Sequence, residues 1–340
     1  MRYTTNEDFE RISGGSIRTS AWTKVNTVNT GTLKSENDRR LQYVSPLRYP
    51  GGKGALADFI SHTIELNNLF GCAYFEPFAG GAGAALRLLL SDVVSELHLN
   101  DYDARIAAFW KAVLNEPERF TEAILSVPLS IPEWYRQRAI CRRADTGQPF
   151  ELGFATFYLN RCNRSGIIRD ATPIGGYGQE GKWRMDARFP REGLAERVRA
   201  ISNRREQIHI TSLDAKVFLV QRLPRGHTRK NVFVYLDPPY FSNGSHLYMN
   251  SYNNQDHAEL ARYIQRQVIL HWMMSYDDCD FIRNLYKSCR ITHISLQYSL
   301  QQKRRASELL IAPSHVEIPT DVDSAEAEVN KGEDISLGKE

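Results

Sequence analysis

No apolar run in this 340-residue chain approaches the roughly 20 residues that a membrane-spanning helix needs. No membrane partner is therefore expected. The stretch from Met1 to Asp8 has no apolar signal core, so a cytoplasmic location is the expectation. Cysteine is sparse: Cys72, Cys141, Cys162, Cys279 and Cys289 are odd in number and form no CxxC pair. That argues against a disulfide scaffold and against a cysteine-based zinc centre, and no metal is expected. There is no internal repeat. The glycines at 80, 81 and 83 are not followed by Lys-Ser/Thr, which disfavours a phosphate-cradling P-loop. Nothing in the sequence sets an oligomeric state.

What remains is an ordinary globular composition, 42% hydrophobic and 24% charged, long enough for one large core and a smaller subdomain. The net charge of +3 is unevenly spread. From Pro313 onward eight acids face two lysines, a net of −6, which leaves +9 on the body. Between Arg161 and Arg205 eleven Lys/Arg face five Asp/Glu, a net of +6. A polyanion-binding face shows such an excess, and so does a solvated surface.

Residues 1–42 are rich in Ser, Thr, Asn and Gly and read as a flexible extension; 313–340 reads as a disordered acidic tail. Between them the pattern is α/β. A helix is expected from Lys53 to Asn67, entered through the Gly51-Gly52 turn. Strand Ala73–Glu76, helix Ala82–Leu90, strand Glu96–Leu99 and helix Ala104–Leu114 follow. Alternation resumes with strand Ile208–Ile210, a helix from Asp214, strand Asn231–Leu236, a helix from Asp256, and strands at Val268–Ser275 and Ile291–Leu296. A mostly parallel sheet covered by helices on both faces fits this order. The stretch 116–205 breaks it. It reads as helical from Glu116 to Leu159 and then as irregular, basic and Gly-rich, an insertion into the α/β domain. The domains expected are thus 43–115 with 206–312, the insertion 116–205, and the two tails.

The most informative stretch is Asp237-Pro238-Pro239-Tyr240, directly after a fully apolar strand. An acid at a strand's carboxyl end, a Pro-Pro segment with carbonyls but no N–H, and an aromatic ring make a rigid set of acceptors beside a flat plate. That suits a planar substrate with an amino group. Three further pieces bear on a ligand. Glu76–Gly83 is a Gly-rich strand-to-helix turn, where ligands bind in open α/β sheets, or a tight turn made for packing. Asn100-Asp101 ends the next strand, where Asp101 would accept from ribose hydroxyls; Asn100, Asp101 or Asp103 would equally serve as a helix N-cap. Lys53 stands against the dipole at a helix start, which an anionic ligand would relieve, or is simply exposed.

These pieces occur in the order Arg48-Tyr49-Pro50-Gly51-Gly52-Lys53, Phe75–Gly83, Asn100-Asp101, Phe157–Arg161 with Asn163–Gly166, and Asp237–Tyr240. In that order the chain resembles the α-class (Dam-like, D12 class) DNA adenine-N6 methyltransferases from about Leu47 to Ile311, with Glu308–Ile311 resembling the closing strand. The resemblance implies a Rossmann-like methyltransferase sheet and S-adenosylmethionine as methyl donor. Tyr49 and Lys53 would meet its methionine end, Lys53 on the carboxylate. Phe78, Gly80, Gly81 and Gly83 would line its pocket, and Asp101 would hold its ribose. Asp237, Pro238, Pro239 and Tyr240 would form the catalytic loop, with Asp237 also bordering the donor pocket. The 160–205 region would carry DNA recognition. Arg161, Arg164, Arg169, Lys182, Arg184 and Arg188 are the candidate contacts to double-stranded DNA, and most should touch phosphate. Trp183 and Tyr177 would wedge or stack, or else belong to the core.

By this reading Asp237 and the Pro238 carbonyl accept the two N–H groups of a flipped-out adenine's amine, which frees its lone pair. Tyr240 stacks on the base. Neither a metal nor a covalent enzyme intermediate is required. Two other readings stand beside it: an RNA adenine-N6 or cytosine-N4 methyltransferase, and a non-catalytic or regulatory DNA-binding protein on the same fold. The recognition sequence and any place in a restriction-modification system are not readable from the chain.

Overall fold

The structure, a computed structural model, describes residues 44–48, 56–241, 252–300 and 302–319. The extension 1–42, the Gly51-Gly52 turn, Tyr49, Lys53 and the tail from 320 lie outside the described residues.

The first half of the sheet alternates as expected: α1 (Ala57–Leu66), β1 (Cys72–Glu76), α2 (Gly83–Leu90), β2 (Val94–Asn100) and α3 (Ala104–Asn115). The insertion follows as α4 (Pro117–Ser126), α5 (Ile131–Arg143), α6 (Pro149–Cys162) and α7 (Arg191–Ser202). The second half is β3 (Ile208–Thr211), α8 (Ala215–Arg222), β4 (Val232–Leu236), α9 (Asn254–Gln265), β5 (His271–Asp277), α10 (Asp280–Leu285), β6 (Arg290–Leu300) and β7 (Gln302–Ala312).

One seven-stranded sheet results, in the order β3-β2-β1-β4-β5-β7-β6. Strands β1 to β5 pair in parallel, and β7 runs antiparallel to both β5 and β6. This is the Rossmann-like methyltransferase sheet that the resemblance implies. The chain winds outward from β1 through β2 to β3, then returns to lay β4 on the other side of β1. The order therefore reverses between β1 and β4, and the crevice outside the carboxyl ends at such a switch point is where open α/β sheets bind ligands. Every residue of β4 is buried, as a continuous β-branched and aromatic run predicts for a central parallel strand.

The insertion in sequence is continuous with the α/β core in space. Phe109 of α3 stacks on Phe157 of α6 (6.1 Å) and meets Phe120 of α4 edge-on (5.8 Å). Each such pair contributes about 0.5–1.5 kcal/mol beyond its buried area. Gly153 lets α6 press directly on α3, since a Cβ there would stand 2.5 Å from the Ala108 carbonyl oxygen.

Four sequence expectations need correction. The stretch 160–205 is not irregular throughout, because 191–202 is helical and buries Leu194, Ala195, Val198 and Ile201. The fifth strand starts at His271 rather than Val268, because Gln267–Leu270 closes a turn (Leu270 N to Gln267 O, 3.1 Å) that leaves Val268 exposed. The strand expected at Ile291–Leu296 runs on to Leu300, because β7 pairs with it along its whole length. The tail expected to be disordered from Pro313 starts as packed chain. Val316 is fully buried, and the Glu317 carbonyl accepts from Asn67 Nδ2 at 2.7 Å.

Candidate active site

Three acids converge on the crevice from adjacent strand ends: Glu76 from β1, Asp101 after β2 and Asp237 after β4. Burial pushes the Glu76 carboxyl well above the usual carboxylate range, and the charges of Asp237 and Asp101 add to the effect. Its Oε2 is buried without a hydrogen-bond partner among the described residues. A carboxyl group placed so, beside two others, is a place for a cationic ligand.

Asp237 is held from behind. Ser275 Oγ, fully buried on β5, donates to Asp237 Oδ1 at 2.7 Å and lies 2.9 Å from the Tyr235 hydroxyl. The parallel register places Leu236 opposite Met274, so Ser275 comes level with Asp237. Pro238 is buried and Pro239 half-buried. The hydroxyl of half-buried Tyr240 donates to Glu308, a buried acid on β7, which fixes the ring's direction. The next residue, Phe241, is tied by its amide to Asp277 Oδ1 (2.8 Å) and stacks on Phe281 at 4.5 Å. The loop is thus pinned at Asp237, Tyr240 and Phe241.

The Gly-rich turn is fastened to β2. Gly80 N donates to Asp101 Oδ2 (2.9 Å), Ala79 N to the Asn100 carbonyl (2.9 Å), and Asn100 Nδ2 to the Pro77 carbonyl (3.0 Å). Trp110 Nε1 donates to the Gly80 carbonyl (3.0 Å), and Ser45 Oγ to that of Gly81 (2.6 Å). Gly80 (φ 46°) and Ala82 (φ 47°) both turn left-handed to enter α2, whose first residue is Gly83. Phe78 is half-buried and meets Tyr252 edge-on at 5.7 Å. The two readings of the Asn100-Asp101 pair separate here. Asp103 is the N-cap of α3, while Asp101 braces the turn and accepts from Asp103 N at 2.9 Å. Burial lifts Asp101 to about 7 despite the amide bonds from Asp103 and Gly80. Each of its oxygens keeps a second lone pair for a ligand.

The basic stretch divides. Arg164, Arg169, Lys182, Arg184 and Arg188 are exposed. Arg161 is not, which corrects its reading as a DNA contact. It is 7% exposed, and its Nε donates to the Arg188 carbonyl at 2.6 Å. Burial, with the charges of Arg48 and Arg197, brings its guanidinium down to about 9. Arg161 shapes the surface from beneath. Its neighbours Asn160 and Asn163 do the same. Asn160 accepts from Arg48 N (2.7 Å) and donates to the Arg48 and Gly166 carbonyls (2.7 and 2.8 Å). Asn163 accepts from Trp134 Nε1 at 2.7 Å. Gly166 (φ 72°) approaches Arg48 so closely that a Cβ would stand 2.5 Å from its carbonyl oxygen. The chain leading into Tyr49 is therefore fastened to the insertion. Trp183 (65% exposed) and Tyr177 (49%) are surface residues, not core, and Tyr177 stacks on Tyr135 at 6.2 Å.

Sequence reasoning did not single out Ser275 or Tyr252, and quoted Glu76 and Glu308 without giving either side chain a role. Ser275 and Glu308 carry no local signal, since each gains meaning from a strand neighbour far away in sequence. Glu76 could have been found, as an acid at the end of an apolar strand beside the switch point.

A sheet of this order, with acids and a Gly-rich turn at its switch point, is suited to binding a nucleotide-type ligand. The model of the D12 class N6 adenine-specific DNA methyltransferases matches residues 49–300, and the chain belongs to that family. Its reaction is accordingly methylation of the N6 amine of adenine in DNA. A DNA adenine methylase of Haemophilus influenzae is 23% identical over 282 residues, covering 77% of this chain and 90% of that protein. Among solved structures, the rRNA methyltransferase aviRa from Streptomyces viridochromogenes is 14% identical with a TM-score of 0.37, over 82% of this chain and 94% of that one. A second structure of aviRa gives 16%, a TM-score of 0.29, and 74% and 83% coverage. Among the described residues no helix is long and apolar enough to cross a membrane.

Proposed function

We propose that the methyl donor is S-adenosylmethionine, received in the crevice between β1 and β4, and that the target is an adenine turned out of double-stranded DNA. The residues present fit such a donor. It carries a sulfonium and an ammonium charge, and the buried Glu76 carboxyl with its unpartnered oxygen offers the complement. Asp101 faces the ribose, and Phe78, Gly80, Gly81 and Gly83 line the pocket. Tyr49 and Lys53 meet the methionine end, by resemblance. When bound, the donor supplies an electrophilic methyl group.

The chain's own part is positioning and electrostatics. Asp237 and the Pro238 carbonyl accept the two N–H groups of the adenine amine, which draws the nitrogen toward tetrahedral geometry and turns its lone pair outward. Both acceptors also stabilise the positive charge that grows on nitrogen as the bond forms. Pro239 stiffens the loop. Tyr240 stacks on the base, worth about 1–3 kcal/mol against the cost of unstacking. Residues 43–115 and 206–312 form the catalytic part and 116–205 the target-recognition part, with Arg164, Arg169, Lys182, Arg184 and Arg188 toward the DNA backbone.

The observation that carries this reading is the 2.7 Å bond from buried Ser275 to Asp237, which holds an acid at the switch point beside a Glu76 oxygen that has no partner among the described residues. The test is methyl incorporation into duplex DNA by wild type and Asp237→Ala, followed by digestion and identification of the modified base. N6-methyladenine from wild type and none from the variant, with cofactor and DNA binding kept, is the expected result. Substantial turnover by the variant would contradict the role of Asp237.

A further inference from the structure

We propose that Glu96, His98 and His209 form a binding site for a divalent transition-metal ion of the zinc type, on the outer part of the sheet and apart from the methyl-transfer crevice. Glu96 and His98 are two residues apart on β2 and so share one face of the sheet. His209, on β3, is the direct register partner of His98. The fold thus gathers three ligand-type side chains, of which Glu96 and His209 lie 113 positions apart in sequence.

The geometry is that of a chelate. His98 Nε2 stands 3.2 Å from Glu96 Oε1, and His209 Nε2 stands 3.3 Å from Glu96 Oε2. One donor atom from each residue lies within 4.8 Å of the other two. Ligands bonded to a tetrahedral zinc ion at about 2.0–2.2 Å are separated by about 3.3–3.6 Å. Small side-chain adjustments would bring all three onto one ion.

The rings are also set in advance. His98 lies flat on Phe75 (4.2 Å between centroids, 7° between planes), and His209 stacks on His98 at 4.6 Å. Preorganised ligands lose little freedom on binding. The His98 side chain is 21% exposed, Glu96 41% and His209 48%, so the site opens to solvent and water can complete the coordination. Two imidazoles and one carboxylate favour zinc, nickel or copper over magnesium or calcium, which take oxygen ligands. Arg222 of α8 acts electrostatically on His98, so the Glu96 charge is needed to make the site attractive to a cation.

The ion would act as a staple. β3 is the edge strand, paired with β2 through Leu97–Asn100 against Ile208–Thr211. Just beyond that pairing, Asp101 N donates to the Thr211 carbonyl at 3.3 Å and Leu213 N to Asn100 Oδ1 at 2.9 Å. Cross-linking the two strands holds the floor on which Asp101 is set.

The test uses the untagged full chain, stripped with a chelator and titrated with zinc chloride alone. The readouts are calorimetry and thermal melting, beside the variants Glu96→Gln and His209→Gln. The expected result is one zinc per chain and a melting temperature that rises with zinc, by about 3 °C or more at 100-fold excess over the dissociation constant. Both variants should melt like wild type without metal. Both should bind zinc more weakly by at least the roughly 10–100-fold that loss of an outer-shell partner costs a metal site. No stoichiometric zinc uptake by wild type overturns the proposal. So does unchanged uptake by both variants, which would put the ligands elsewhere, for instance among the cysteines.

Discussion

Ser275 Oγ donates to Asp237 Oδ1 across 2.7 Å, from a fully buried position on the strand beside the one that Asp237 ends. The bond fixes one oxygen of the carboxylate that ends β4. The same hydroxyl lies 2.9 Å from the Tyr235 hydroxyl, so the acid belongs to a buried polar chain. Such chains are sensitive to the loss of any member.

Ser275→Ala removes the donor to Asp237 and with it the partner of the buried Tyr235 hydroxyl, so some stability is lost as well. A hydrogen bond to a charged group is worth about 1.5–3 kcal/mol. The catalytic rate should therefore fall by about 10- to 100-fold. KM for DNA and cofactor affinity should stay near wild type, because the change acts on the acid's aim. Steady-state methylation kinetics with a parallel melting curve check this. A raised KM with unchanged kcat would place Ser275 in binding instead.

Donor binding should depend on pH. Burial holds Asp101 at about 7, so below that pH it carries a proton that must leave before both its oxygens can accept from the donor's ribose hydroxyls. Affinity should rise with pH through about 7 and then level. The free protein moves the other way. The folded state binds the extra Asp101 proton between the unfolded value, about 3.9, and the folded one. Its contribution is thus complete below that window and lost as pH rises through it. Calorimetry in two buffers of different ionisation enthalpy counts the protons released. Asp101→Asn should release fewer. Equal affinity at pH 6 and pH 8, with no proton release, would rule the linkage out.

Much of this arrangement was legible in the chain, and the limits are physical. Strand β4 and its Asp237–Tyr240 loop could be read because an apolar run and two prolines are local signals. Strands β1 and β2 with their terminal acids were equally plain. Helix α7 was hidden, because its five charged residues and Gly193 obscure the buried positions 194, 198 and 201. Arg161 was misread because charge on a sequence says nothing of depth: it lies on α6 between Asn160 and Asn163, whose side chains bind backbone. Ser275 and Glu308 were beyond reach, since what they touch is decided by how strands order in the sheet.

DNA binding should separate surface from scaffold among the arginines. Neutralising exposed Arg164, Arg169, Lys182 or Arg184 one at a time should weaken binding and reduce the slope of log affinity against log salt by about 1 wherever phosphate is contacted. Arg161→Met should leave that slope alone and lower the melting temperature, because its bond is to the Arg188 carbonyl. Fluorescence anisotropy on a duplex over a salt series distinguishes the two. A slope change with Arg161→Met and none with the exposed residues would reverse the assignment.

Gly166→Ala should be costly for two reasons. The residue sits at φ 72°, where a Cβ is strained, and that Cβ would press on the Arg48 carbonyl at 2.5 Å. Strain and overpacking together predict a loss of about 2–5 kcal/mol in stability. The displacement would also push away the chain that leads into Tyr49 and Lys53, so cofactor affinity should fall in molecules that stay folded. Gly176→Ala is the control, with a similar φ of 74° and nothing within 4 Å of its Cβ. Denaturant titration of both variants should show the larger loss for Gly166. Equal losses would mean that backbone strain alone accounts for the effect.

Tyr240 joins two functions that substitution can part. Its ring is offered to the base by resemblance, and its hydroxyl is bound to Glu308. Tyr240→Phe keeps the plate and drops the tether, leaving the buried Glu308 carboxyl one bond poorer. Stability should fall by about 1–3 kcal/mol with modest loss of turnover. Tyr240→Ala removes the plate as well, and base–aromatic stacking is worth about 1–3 kcal/mol per base. Its defect should appear in binding duplex that carries a normal adenine, and shrink when the target is mispaired or single-stranded, because part of the unstacking cost is then already met. 2-Aminopurine fluorescence at the target position reports the turned-out base directly. A strong signal in Tyr240→Ala equal to that of wild type would show that another ring, Phe78 or Tyr252, holds the base.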